Sequence, residues 1–342
     1  MRGYRWAGYA VLGFVLVVLI LWRVNSGADT VDVDERFDVS IASPAWVHEH
    51  PRVLIDEAHF NLHTASGRYK PLATLLANDG YDIRAGQEKF SADSLHDVDV
   101  LIIANARGGA EGTDEVRNPA FTDEECEAVR QWVSDGGALL LIADHRPFGP
   151  AAANLADHFG VELGLDYVSD KSQRRDNSGT LFFTRENRLL GEHPILMGRR
   201  DSERVTTVAT FVGQSVSVPP DATPLLRLSE TAYESPTPIA TPANSRSAKD
   251  KAQAVALEID RGRVVIAGEA GMFSAQILKR TFGDSMRFGM NAPGNDDRQF
   301  ALNILHWLSR APGWPEDDAA TDAVDPSNGG EPDTTALTSD QG

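Results

Sequence analysis

The sequence predicts an α/β fold in which a mostly parallel sheet carries helices on both faces. Three observations predict it. Short apolar strands at 52–56 (RVLID), 97–104 (DVDVLIIA) and 138–143 (ALLLIA) are separated by segments with helical periodicity. These strands run as continuous hydrophobic stretches, the pattern of strands covered on both faces. After a looser stretch, 263–268 (RVVIAG) returns to the same pattern, so a late strand rejoins the sheet.

Each element has its local reason. Tyr69, Leu72, Leu75 and Leu76 make a helical stripe over 69–78, closed by Asp79-Gly80, and a weaker strand follows near 81–83. Thr122 with Glu125 three residues on reads as a capping box, with Phe121 and Cys126 in the staple positions. Val129, Trp132 and Val133 continue that helix face, and Gly136-Gly137 ends it. Gly149-Pro150 is expected to start another helix, with proline at the first position, running to about Phe159. Between 179 and 260 the pattern loosens into strand-like stretches at 181–184, 205–212, 225–228 and 254–259, and the Pro-, Ser- and Thr-rich segment 233–250 reads as a loop. Asn295 is expected to cap a last helix with the face Phe300, Ala301, Ile304, Leu305 and Leu308, before Pro312-Gly313. The expected organisation is 1–24 cytoplasmic tip and transmembrane anchor, 25–47 linker, 48–311 α/β domain and 312–342 acidic disordered tail. No internal repeat is visible.

The formal net charge of −18 argues against a nucleic-acid partner, because phosphate contacts need clustered Lys and Arg. Eight acids and no Lys or Arg lie in residues 311–342, a composition with too few apolar residues to order itself. The basic pairs Arg174-Arg175 and Arg199-Arg200 read as solvated surface. A single cysteine, Cys126, forms no internal disulfide and reads as a core residue.

Residues 6–22 (WAGYAVLGFVLVVLILW) are 17 residues without a charge, bracketed by Trp6 and Trp22. That length reaches the lower end of what a spanning helix needs. Arg2 and Arg5 precede it, and Asp29, Asp32, Asp34 and Glu35 follow. The expectation is a single-pass signal anchor with the N-terminus cytoplasmic and the main domain extracytoplasmic, partnered with the membrane through this helix. A signal peptide cleaved after Ser26-Gly27-Ala28 is the alternative, and it exports the domain equally.

The order of elements, with Asp56-Glu57-Ala58-His59, Ala143-Asp144-His145-Arg146-Pro147-Phe148 and residues 268–276 (GEAGMFSAQ), resembles the class I glutamine amidotransferase-like superfamily. Within it, the sequence looks like a bacterial membrane-anchored group that lacks the catalytic cysteine. The resemblance covers about residues 50–310 and implies a flavodoxin-like sheet. Amidotransferases of this class place a nucleophilic cysteine on a sharp turn after a strand; here ALLLIA is followed by Asp144 and His145. The glutaminase reaction is therefore not expected.

In open α/β sheets, ligands bind beyond the carboxyl ends of the strands. That rule selects Asp56, Glu57, His59, Asn61 and His63 after the first strand, which is expected near the middle of the sheet. It adds Asn105 after the second, Asp144 and His145 after ALLLIA, and Glu269 after RVVIAG. The Gly108-Gly109 segment follows as a loop. Carboxylates with imidazoles could bind a divalent metal, for which Asp56, His59, Asp144 and His145 are the candidates. They could equally serve as general acid and base, or simply cap helices and loops. His48 and His50 read as surface. No phosphate loop, dinucleotide fingerprint, H-E-x-x-H or G-x-S-x-G occurs in the sequence, which leaves the cofactor unknown. Two functions remain open: a domain binding a ligand or a protein partner in the cell envelope, and a hydrolase acting on an envelope glycan or peptide through the strand-end cluster.

Overall fold

The computed structural model of the chain describes residues 29–109, 119–170, 172–173, 179–237, 243–281 and 284–314. In chain order its elements begin with β1 (Thr30–Val33), β2 (Arg52–Asp56), α1 (Lys70–Asn78), β3 (Asp82–Gly86), α2 (Ala92–Leu95), β4 (Val100–Ala104), α3 (Asp123–Ser134) and β5 (Ala138–Ile142). Next come α4 (Phe148–Asp157), β6 (Tyr167–Asp170), β7 (Thr180–Thr184), α5 (Pro194–Met197), β8 (Thr207–Phe211), β9 (Ala222–Arg227) and β10 (Ala232–Ser235). The chain continues with β11 (Arg246–Ser247), β12 (Ala252–Ile259), β13 (Gly262–Ala267), β14 (Ala275–Lys279), β15 (Met286–Gly289) and α6 (Asp297–Leu308).

Seven strands form the central sheet, in the order β3-β2-β4-β5-β13-β12-β9. From β3 to β13 every pairing is parallel, and β12 runs antiparallel to both its neighbours. The parallel part has the flavodoxin-like order, with a topological switch point between β2 and β4. β2 lies second from an edge rather than near the middle, because β3 pairs outside it and the antiparallel pair β12 and β9 extends the other side.

Burial explains why the strands carry unbroken apolar runs. All five residues of β4 and of β5 are buried. Because side chains alternate, Val100, Ile102, Leu140 and Ile142 face one core with Leu72 of α1 and Phe300 of α6. Leu101, Ile103, Leu139 and Leu141 face the other, with Val129 of α3 and Leu155 of α4. The capping box of α3 is present in both directions: Thr122 Oγ1 accepts from the Glu125 amide at 3.3 Å, and Glu125 Oε2 accepts from the Thr122 amide at 3.0 Å. The Asn295 side chain accepts from the Asp297 amide at the start of α6, as its capping role requires.

Several expectations are corrected. From Asp29 onward the stretch assigned to a linker is part of the folded body: β1 pairs antiparallel with β14, and Phe37, Val39 and Ile41 pack on the core. Within 233–250, β10 pairs with β6 and with β11, so 233–235 and 246–247 of that segment are strand. α4 begins at Phe148 after Pro147, which leaves Pro150 as its third residue. Arg199 is nearly buried and forked onto Glu203, not solvated. The apolar run 6–22, Arg174-Arg175 and residues 315–342 of the acidic tail fall outside the described residues, whereas Trp314, at the start of that expected tail, is buried in the core. Among the described residues, no helix is long and apolar enough to cross a membrane.

Candidate functional site

The parallel register brings the ends of β4, β5 and β13 level, since Ala104 pairs with Ile142 and Ile142 with Ala267. The residues just beyond these ends therefore stand side by side. The strand-end residues of the sequence divide into two groups.

The first group is closed. Asp56 ends β2 and is fully buried. His59 Nδ1 lies 2.9 Å from both Asp56 oxygens, and Asn61 Nδ2 donates to Asp56 Oδ2 at 2.9 Å. On its other side, His59 Nε2 lies 2.9 Å from Glu125 Oε1. Carboxylates only accept, so both ring nitrogens carry protons and the ring is an imidazolium. Burial alone would lower the pKa of His59, but Asp56 and then Glu125 hold it above the ordinary value. Burial likewise works to raise Glu125, yet the Thr122 amide and His59 hold it below the usual range. Phe90 and Phe121 flank the ring, each 4.7 Å from it between centroids. With both nitrogens committed, His59 has no lone pair for a metal.

The second group is open. Asn105 takes a left-handed backbone with φ of 49°, a conformation Asn tolerates. Its side chain clasps Asp144: Oδ1 accepts from the Asp144 amide at 2.8 Å, and Nδ2 donates to Asp144 Oδ2 at 3.1 Å. Glu269, buried beyond β13, accepts from the Gly271 amide at 2.6 Å and the Met272 amide at 2.7 Å. A Cβ at position 271 would stand 2.5 Å from Glu269 Oε1, so only glycine lets that amide approach. Burial raises Asp144, offset in part by His145 and Asn105. Burial and the charge of Asp144 raise Glu269 well above the usual range. Removal from water disfavours the charged form of both groups, and the charge of Asp144 adds to this at Glu269. His145 stacks on Tyr167 with ring centroids 3.9 Å apart, and its Nδ1 lies 2.9 Å from the Arg146 carbonyl oxygen.

The remaining candidates go elsewhere. Glu57 accepts from the Ala65 amide at 2.9 Å and from Gln87 Nε2 at 2.7 Å, so it organises a loop. His63 is buried against Tyr69, 4.6 Å between ring centroids, and burial pushes its pKa down to about 3. It is neutral and offers Nδ1 without a partner. His48 and His50 are exposed. Asp56 and His59 meet, whereas Asp144 is held by Asn105 and His145 stacks on Tyr167, so the four do not form one ligand set. Among the described residues no group of three or more His, Cys, Asp or Glu could hold a metal ion. The convergent metal cluster expected from the sequence is thus replaced by a saturated triad and a separate acid pair.

Three participants escaped sequence reasoning. Glu125 reads as a cap, and nothing in its spacing announces that its second oxygen reaches His59. Tyr69 reads as one member of an apolar stripe, yet its hydroxyl donates to the Ala270 carbonyl at 3.0 Å beside Glu269 and Asp144. Tyr167 lies on a strand too short to register.

Fold and site together define an open α/β domain whose strand-end site holds paired carboxyl groups and no cysteine. No family model matches the chain, and no curated protein matches it. Among solved structures it is similar to the N-terminal domain of mmIFT52, at 14% identity and a TM-score of 0.52, covering 75% of this chain and 97% of that one. A thua-like protein from Bacteroides uniformis aligns at 12% identity and a TM-score of 0.36, covering 78% and 93% of the two chains. A GMP synthase-type protein from Thermoplasma acidophilum aligns at 12% identity and 0.38, covering 76% and 97%. At these identities the likeness to mmIFT52 speaks to fold alone.

Proposed function

We propose that this chain is a membrane-anchored, extracytoplasmic domain of the amidotransferase-like kind that binds a ligand at the carboxyl edge of its sheet and does not hydrolyse glutamine. The observation that carries the reading is the Asp144–Glu269 pair. It occupies the strand ends where this architecture receives ligands, and both carboxyl groups are held upward in pKa. Cys126, by contrast, is buried on α3 in the opposite core layer, with its thiol pushed up to about 12 by burial. A thiol so protonated and enclosed is no nucleophile.

The same pair favours a second reading, a hydrolase acting on an envelope glycan or peptide. Two neighbouring carboxyl groups can divide the roles of general acid and general base. The two readings part in one experiment. The full chain, in detergent, is incubated with cell-wall glycan and peptide fragments, while product and melting temperature are followed in parallel. Binding without turnover, lost in Asp144→Asn, supports the ligand-binding domain. Turnover abolished by Asp144→Asn supports the hydrolase. Binding and turnover that both survive Asp144→Asn remove this edge from consideration.

The anchor rests on residues 6–22 and on Arg2 and Arg5 before them. A reporter fused after Gly342 is expected to be active outside the cytoplasm, and the protein to stay with membranes at high salt. A soluble product beginning near Asp29 would instead support cleavage.

A further inference from the structure

A cleft of about 760 Å³ opens away from the strand-end site. Asp79, at the end of α1 just before β3, lies in its wall. It is therefore at the end of the sheet where strands begin. The volume falls in the range of small-molecule sites.

Five arginines line this cleft in a chain of net charge −18: Arg36, Arg199, Arg200, Arg287 and Arg298. The acids among them are already engaged. Glu203 is held by the Arg199 fork at 2.9 and 3.1 Å and by Arg200 Nε at 2.7 Å. Asp34 accepts from Asn291 Nδ2 at 3.0 Å and from the Arg36 amide at 3.1 Å, with Arg287 Nε at 3.4 Å. Asp38 accepts from the Ser40 amide at 2.9 Å. That leaves two guanidinium groups that feel a cleft carboxylate, Arg36 that of Asp34 and Arg298 that of Asp38, but form no close ion pair among the described residues. Arg36 is exposed and its side chain makes no hydrogen bond there, while Arg298 donates only to the Ser40 carbonyl.

The floor of the cleft has the opposite need. His306 is 2% exposed, and its Nε2 lies 2.6 Å from Asp79 Oδ2. Asp79 also accepts from the Ala45 amide at 2.8 Å. As a carboxylate it can only accept, so Nε2 carries a proton, and in the neutral ring Nδ1 is then an acceptor. Nδ1 is buried and has no partner, and the same holds for Asn291 Oδ1. Buried acceptors without donors are costly and rare in folded proteins. The cleft is thus lined by residues with unpartnered buried atoms, on His306 and Asn291, and by two guanidinium groups whose donors are not used up by its carboxylates.

We propose that this cleft is a second binding site, for a hydroxylated organic phosphate whose hydroxyl groups donate to His306 Nδ1 and Asn291 Oδ1 and whose phosphate meets Arg36 and Arg298. Phosphate fits the rim better than carboxylate does. The free guanidinium groups come from separate elements, the arm after β1 and the first turn of α6. A tetrahedral phosphate offers oxygens in several directions, whereas a planar carboxylate meets one fork. The chemistry is shared by a soluble sugar or polyol phosphate and by the glycerol phosphate headgroup of an anionic lipid.

The test uses the full chain in detergent, with binding followed by calorimetry and melting temperature. The probes are glycerol 3-phosphate, glucose 6-phosphate, inorganic phosphate, glycerol, and dihexanoyl phosphatidylglycerol against dihexanoyl phosphatidylcholine. Glycerol 3-phosphate or glucose 6-phosphate is expected to bind and to raise the melting temperature, with inorganic phosphate about tenfold weaker for want of the hydroxyl contacts. Arg36→Glu and Arg298→Gln are each expected to weaken binding about tenfold or more, with the ligand-free melting temperature unchanged. Asp144→Asn, at the other end of the sheet, leaves this binding intact, so the two sites stand or fall separately. Binding of the phosphatidylglycerol probe, sensitive to Arg36→Glu, assigns the source to lipid; binding of the soluble phosphates alone assigns it to a metabolite. No binding by any phosphate probe overturns the site. Equal binding of inorganic phosphate, or affinity unmoved by both arginine substitutions, overturns the ligand assigned to it.

Discussion

The Asp56–His59–Glu125 triad and the Asp144–Glu269 pair lie at the same edge of one sheet and are built from the same residue types, yet they are opposites. In the triad every polar atom of the imidazole is matched, two carboxylates face one cation, and two phenyl rings seal it. In the pair burial raises both acids, and the charge of Asp144 adds to the rise at Glu269, while His145 and Asn105 offset only part of it at Asp144. A saturated network rigidifies, whereas an unsaturated one stores a capacity to bind or to transfer a proton. Strand-end position alone does not separate structural from functional residues; the state of their partners does.

That contrast breaks first at His59. Replacing it by Ala leaves two buried carboxylates without their cation, and removal of one member of a buried charge network costs about 3–5 kcal/mol. Urea unfolding of His59→Ala is expected to show a loss of that size, and a loss below about 1 kcal/mol would mean the triad is not a stabilising unit. The pH dependence has a definite sign. His59 is raised above 6.5, so its contribution is complete below 6.5 and is lost as pH rises through its folded value. Glu125 is lowered from 4.5, so its contribution is present above 4.5 and is lost as pH falls through its folded value. Wild type is thus expected to have a stability plateau bounded on both sides, which His59→Ala flattens.

The acid pair should respond in the opposite sense. Both carboxyl groups are raised in the folded state, so their contribution is complete below the ordinary values of 3.8 and 4.5 and is lost as pH rises. Asp144→Asn removes the repulsion and keeps an amide that can bond Asn105. At pH 7 the substitution is expected to be neutral or to stabilise by roughly 1 kcal/mol, about the worth of one pKa unit. If it destabilises the protein by more than that, ionised Asp144 is a structural partner and the contrast with the triad disappears.

What was legible in the sequence follows from the same physics. β2, β4, β5 and β13 announce themselves because strands covered on both faces cannot tolerate polar residues, and the strand-end rule then selects Asn105, Asp144 and Glu269 without further information. β1, β14 and β15 were not legible. They are short and mix buried with exposed residues, as the TVDV of β1 shows, and exist because distant segments pair in a small side sheet. Local pattern carries no record of such partners. The split of the site was illegible for a related reason. Whether His59 is a ligand or a strut depends on Glu125, 66 residues away and already accounted for as a helix cap.

The smallest expected effect concerns Cys126, and it sharpens the contrast by showing what a silent core position looks like. Its side chain belongs to the buried layer of Phe121, Val129 and Leu155, on the helix that also carries Glu125, and it takes no part in the hydrogen bonds of either network. Burial, and then the nearby Asp123 and Glu125 charges, push the thiol up to about 12, so almost no thiolate exists at neutral pH. Reaction with thiol reagents requires thiolate and access, and the native protein offers neither. Labelling should therefore proceed only at the rate of unfolding, and adding urea should accelerate it in step with the unfolding transition. Cys126→Ala removes one sulfur from a packed layer and is expected to cost about 1 kcal/mol, with any ligand binding at either site unchanged. Rapid labelling in native buffer would show that α3 opens locally. Because Glu125 rides on the same helix, such opening would expose the triad as well and erase the distinction between the closed and the open group.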